Sequence, residues 1–415
     1  MRSAAVVLVT LTSLICASCG GGSGGSAGPH YAATAPPPAT SATPSPPAAA
    51  GPKGNPSPVL YTLVDLGTLG GDVTPHGINS HDDVVGTSKV PGGGGHAFLY
   101  LRACACMQDL SLNPGEVSDA WAVDDGDTVA MDSASAANEP SGPAILWSSG
   151  GRKELPSTNP QVNQYGTPYA LNASGVVVGS AWSAAGSAHA TLWMPGNGSY
   201  AATDMGTLGG SFSRAMSVND TGDAAGISDT DKTGNNCNSG NSSEARDRAF
   251  IYQHGKMQSL GTLSPNWDDS DAKGINRSDE IVGSSAFGNC NNNPAGLAHA
   301  FLWNRGAMTD LGTLAGNGDF QSAADAINDN GEVVGYSDVD GQHVHHAFLL
   351  ESGGKMQDLN SLIDPSDPLA PYVTLSEATA INNGGDIAAF GSDSRDPSHR
   401  HGYLVVLETS GGFGG

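Results

Sequence analysis

Histidine, aspartate and cysteine carry most of the reactive side chains in this sequence, and their spacing separates two kinds of use. Histidine opens a short apolar run at His96, His189, His299, His346 and His401, and aspartate closes another at Asp65, Asp109, Asp204, Asp310 and Asp358. A His–Asp couple can serve as base and orienter, but catalysis needs one asymmetric constellation. A residue returning five times instead satisfies the same local hydrogen bond in each unit. Other groups occur once. Asp229 and Asp231 with Asn235, and Asp268–Asp269 with Asp271, offer the oxygen ligands that Ca²⁺ takes, though without EF-hand spacing. His343 and His345, next to His346, Asp338 and Asp340, have donors suited to a transition metal. No motif requires a cofactor: G-x-S-x-G, Walker A, H-E-x-x-H and the dinucleotide fingerprint are all absent.

Of the six cysteines, Cys16 and Cys19 lie in the N-terminal apolar segment. Cys104 and Cys106 straddle one residue with no further metal ligand nearby in sequence, which predicts a local disulfide or two free thiols. Cys237 and Cys290 are both flanked by Asn and fall at equivalent places in successive repeats, so a bridge between them is expected in an oxidising compartment.

What positions these residues is a repeat. Ala326–Gly335 reads as two apolar strands around an Asn/Asp/Gly turn, and glycine supplies the positive φ that tight connections need. The frame recurs with marker residues Asn79, Asp124, Asn172, Asn219, Asn276, Asn328 and Asn382, a period of about 45–57 residues. The copy at Asp124 reads as having lost one turn residue. A third strand follows, as in His299–Trp303, and a fourth, as in Met308–Leu311, giving strands a, b, c and d in each period. The chain opens its repeats on an isolated d strand, Tyr61–Leu66, and closes them on a, b and c without d. That complementarity predicts an all-β, seven-bladed propeller whose last blade is completed by the N-terminal strand. The repeated aspartates then lie on outermost strands, where a charge also blocks edge pairing.

The repeats resemble the HAF-repeat family of extracellular proteins. The resemblance is carried by HAFLW at 299–303, HAF at 96–98 and 346–348, DLGTLGG at 65–71, MGTLGG at 205–210 and the IN…VVG hairpins. GTLGG is missing from the repeats around Asp124 and Asn172. The resemblance implies an exported repeat protein and no assigned activity.

Met1–Cys19 reads as a targeting segment, with Arg2 ahead of an apolar run too short for a stable span. Ala17-Ser18 before Cys19 predicts lipidation at Cys19, which makes any membrane contact an N-terminal lipid anchor. Residues 20–58 are rich in Gly, Ser, Ala, Pro and Thr and read as a disordered spacer; 59–408 form the ring and 409–415 a flexible tail. A net charge of −24 with only 17 Lys and Arg excludes nucleic acid as a partner and disfavours anionic membrane surfaces.

In a propeller the b–c and d–a connections share one face, and here that face carries every long insertion. Binding residues gather on loops held by rigid scaffolds, so the expected site comprises Asp229, Asp231, Asn235, Asn291, Asn292, His343 and His345, on consecutive blades. The reading is an exported, lipid-anchored, monomeric envelope module that binds a protein or glycan without catalysis. The alternative is an extracellular hydrolase or lyase with an asymmetric site in the axial depression, and convergent buried carboxylates or histidines there would favour it.

Overall fold

Each a–b hairpin closes on its marker side chain. In a computed structural model that describes residues 60–408 apart from 135–141, 160–164, 234–244, 265–268, 288–296, 317–319 and 341–343, all seven markers act alike. The side-chain Oδ1 accepts the backbone N–H groups two and four residues on, as Asn79 does from His81 and Asp83 at 2.9 Å each. The fourth turn residue takes positive φ, from 58° at Asp127 to 88° at Gly385. Asp124 accepts from Gly126 and Thr128 in the same way, and Val123 pairs Val129 across the turn. The expected loss of a turn residue is therefore corrected: an Asp replaces Asn, and the turn keeps its length because Asp127 adopts the left-handed conformation usually left to Gly.

The described residues form seven four-stranded antiparallel sheets, each in the sequential order a-b-c-d except the last. The a strands touch those of neighbouring blades around the axis, and the d strands lie outermost. In the last blade Tyr61–Asp65 pairs with Asp396–Leu407 in the register Tyr61↔Leu407 to Asp65↔Tyr403, as the unmatched d strand predicts. A turn from the connection before the last blade secures it. The Asp367 carboxylate accepts from Leu63 N–H at 2.8 Å, and Asp364 N–H donates to the Tyr61 carbonyl at 2.8 Å. Tyr61 and Leu63 thereby join the apolar cluster around Leu375, Tyr403 and Val405.

Two recurrent devices tie blades together. The marker Nδ2 donates to the marker carbonyl of the next blade: Asn172 to Asn219 at 2.8 Å, Asn219 to Asn276 at 3.1 Å, Asn276 to Asn328 at 3.2 Å, Asn328 to Asn382 at 2.9 Å. Asn382 closes the circle onto Asn79 at 3.1 Å, and Asn79 continues to Asp124 at 3.2 Å. Asp124 has no N–H to pass on, so the clasp lacks one link. Nearer the opposite face, a serine at the start of strand a accepts the N–H of an alanine in the preceding blade, as Ser322 does from Ala300 at 2.9 Å.

Candidate functional site

The repeated His–Asp couple resolves into a clamp between strands c and d. His96, His189, His299 and His346 each place Nδ1 within 2.7–3.0 Å of the blade's aspartate, Asp109, Asp204, Asp310 or Asp358. The same aspartates accept an N–H two residues on, for instance Gly312 to Asp310 at 2.7 Å, which starts the d–a turn. Burial opposes ionisation of Asp310, but the hydrogen bonds from His299 and the Gly312 N–H, with the charge of His299, together outweigh it and hold the carboxyl below its ordinary range. His401 departs from the series: it faces Asp396 in its own strand, while Asp65 accepts the turn N–H of Gly67.

Of the insertion-face residues, Asp229 sits opposite Asp247 in the b–c pairing of the fourth blade and accepts weakly from Ser211 at 3.4 Å. Burial and the nearby Asp229 push the Asp247 carboxyl up to about 7. Asp231 is exposed. His345 stacks on Tyr336 at 4.7 Å and meets the fully buried Asp338 at 3.1 Å, so it is held by its own blade. Asn235, Asn291, Asn292, His343, Cys237, Cys290 and Cys19 lie outside the described residues. Cys104 and Cys106 are disulfide-bonded in an exposed c–d turn.

The a–b turns, expected to be a plain structural face, enclose an axial depression of about 310 Å³. Its walls are the marker residues and their neighbours, including Arg277. An aliphatic collar of one residue per blade, running from Ile78 and Val123 to Ile327 and Ile381, also lines it.

Two residues back from this collar, every a strand carries a β-bulge. Pairing skips His76, Trp121, Tyr169, Met216, Lys273, Asp325 and Thr379, in blade order. A bulged residue leaves the ladder and is re-aimed. In five blades a glycine of strand b faces the residue before the bulge, where the two backbones approach closely; Met131 and Ala389 hold that place in the second and last blades. A Cβ on Gly283 would lie 1.9 Å from the Asp271 carbonyl oxygen, and one on Gly335 2.0 Å from that of Ala323. Whereas the strands around them repeat, these seven residues differ, and five of them touch across blades. The His76 ring stacks on Trp121 at 4.6 Å and 10°, and Trp121 meets Tyr169 edge-on at 5.1 Å and 71°. On the far side Lys273 forms an ion pair with Asp325. Met216 and Thr379 separate this aromatic arc from the ionic arc.

Electrostatics sharpen the contrast. His76 donates Nδ1–H to the Ala120 carbonyl at 3.0 Å, and burial lowers its pKa, keeping it a neutral imidazole. Burial opposes charge on Lys273, but the Asp325 and Asp271 carboxylates raise its pKa above the ordinary value. Burial and Asp325 push the Glu377 carboxyl up to about 7. Beside the aromatic arc, Asp119 and Asp132 face one another across the a–b pairing of the second blade. Asp119 accepts from Thr87 and Asp132 from Thr167, in the two adjacent blades. Burial and Asp119 push Asp132 up to about 6. Sequence reading missed this ring. The signal was a single column of the aligned repeats, three residues before the marker, where chemistry varies inside an otherwise uniform strand.

No family model matches the chain, and no curated protein matches it either. Solved structures with similar folds include the extracellular domain of a one-component system from B. thetaiotaomicron, at 9% identity over 85% of this chain and a TM-score of 0.45. The acylaminoacyl peptidase of Pyrococcus horikoshii aligns at 8% identity over 84% with a TM-score of 0.41, and TolB of Acinetobacter baumannii at 10% over 77% with 0.35. The chain spans 40% of the first of these structures, 52% of the second and 78% of the third. These likenesses assign no activity to this chain.

Proposed function

We propose that the ring is a non-catalytic glycan-binding module of an exported, lipid-anchored envelope protein, and that its ligand is held at the axis by the bulged residues. The single observation that carries this reading is that one position per blade, unpaired and non-repeating, divides into an aromatic arc and an ionic arc. A sugar ring has a C–H face that packs on Trp121 and Tyr169 and hydroxyls that bond to Asp325, Glu377 and Asp119, which is the mix of apolar wall and convergent polar groups found in small-ligand sites. Export and anchoring rest on Met1–Cys19 and the Pro-rich spacer, and in this reading the repeats are HAF-type.

The test is a glycan array followed by calorimetric titration of the exported chain with each hit. Trp121→Ala and Tyr169→Ala should lower affinity at least tenfold while leaving the melting temperature of the ring within a few degrees. Undiminished affinity in both variants would remove the axis from consideration and return attention to the insertion loops.

One observation favours the hydrolase or lyase alternative: Glu377, near protonation balance at neutral pH, lies close enough to buried Asp325 and Lys273 to feel their charges. A carboxyl poised there suits general acid–base work. If a bound glycan is also cleaved, Glu377→Gln should abolish cleavage and retain binding; cleavage unaffected by that substitution would exclude Glu377 as the acid.

A further inference from the structure

The axial site holds more acid than its own cations neutralise. Lys273 is committed to Asp325 Oδ1, yet Asp325 Oδ2 is buried with no hydrogen-bond partner among the described residues, on a side chain only 9% exposed. At the aromatic arc, the Asp119 and Asp132 carboxylates meet only uncharged donors: the Thr87 and Thr167 hydroxyls and, for Asp132, the Trp121 ring N–H and the Asp119 backbone N–H. An asparagine would accept a hydroxyl equally well without the repulsion between two carboxylates, so what the charges gain must come from elsewhere. A cation offers that gain, and the faces of Trp121 and Tyr169 attract cations as well. Resting on the axial site proposed above, we infer that its ligand carries a positively charged amine, which makes a glycan ligand an amino sugar. The ammonium sits against the Trp121–Tyr169 corner between Asp119 and Asp132, and a second donor of the ligand meets Asp325 Oδ2. Uronate sugars are excluded by the same charges.

The experiment titrates the exported chain with four probes: a glucosamine tetramer, its N-acetylated counterpart, a galacturonate oligomer and spermidine. The glucosamine tetramer is expected to bind at least tenfold more tightly than the acetylated one, with no measurable uronate binding. Asp119→Asn with Asp132→Asn should erase that preference. Because this double variant also removes repulsion, its ring should melt no lower than the parent's. Trp121→Ala provides an independent variant and should weaken amine binding at least tenfold. A control variant neutralising the exposed Glu154 and Glu351 should keep the preference, separating a built site from the general pull of an acidic protein. Equal binding of both tetramers, or preference for the uronate, overturns the inference while leaving the glycan reading intact. Binding of spermidine without any oligosaccharide supports the amine and ends the glycan reading. Retention of amine preference by the double variant, or no binding of any probe at millimolar concentration, overturns the inference.

Discussion

The marker asparagines show how much one side chain can do when both ends of its amide are used. Oδ1 shapes its own turn, and Nδ2 fastens the next blade. Asp124 keeps the first role and lacks the second, which leads to a simple expectation. Asp124→Asn adds the missing donor towards the Asn172 carbonyl and should stabilise the ring by about 0.5–1.5 kcal/mol, read as a higher denaturant midpoint. Asn219→Ala, which removes both roles, should be destabilising. Glu377 gives the pH dependence. Its folded pKa is raised, so the folded state holds a proton that the unfolded chain releases nearer pH 4.5. The folded state therefore binds more protons between about pH 4.5 and 7, and the contribution of this group to stability falls as pH rises through that window. Glu377→Gln should raise the melting temperature more at pH 7 than at pH 5. An equal rise at both would show that Glu377 is not buried as described. The repeated His–Asp couples were legible as structural from their recurrence alone; the non-repeating residues were not, since recurrence was the available signal.

At the scale of the element, strand a combines two opposing demands. It must pair with strand b along its length and also free one residue towards the axis. The bulge achieves both, and in five of the seven blades a glycine opposite lets the two backbones approach closely beside it. Gly283→Ala sets a Cβ against the Asp271 carbonyl and should cost at least about 2 kcal/mol, with loss of the bulge register visible in the amide spectrum of Ala272–Ile275. Alanine tolerated there without a stability change would mean that the strand has room the close approach denies. Strand positions and turn ends were readable because alternation and Asn/Gly turns are local properties. The bulge was hidden because one extra residue in six leaves alternation too short to betray a slip. The turn at Asp124 was misread for a related reason: turn length is set by φ at Asp127, which residue identity alone did not announce.

For the whole molecule, closure depends on Tyr61–Asp65 reaching the strand Asp396–Leu407 more than 300 residues away in sequence. Deleting 59–67 should expose that strand's edge, empty part of the cluster around Tyr403 and lower stability by several kcal/mol. Asp367→Ala, which removes the acceptor of Leu63 N–H, should cost about 1–3 kcal/mol by itself. A deletion that melts like the parent would refute circular closure. The clasp of marker asparagines, closed from Asn382 to Asn79, predicts that loss is cooperative around the ring, with one melting transition in the parent.

The sequence by itself determined the seven repeats, the four strands in each, and the d strand surplus at one end and missing at the other, and therefore the ring. These follow from patterns of a few dozen residues at most, where hydrophobic alternation and turn chemistry act on neighbours. Only the tertiary structure decided which residues share the axis. His76, Trp121 and Tyr169 come from three different blades, Lys273 and Asp325 from two more, and nothing local links them. Their proximity arises because radial blades bring one position of each a strand to a common centre, and a bulge there turns that position out of the sheet.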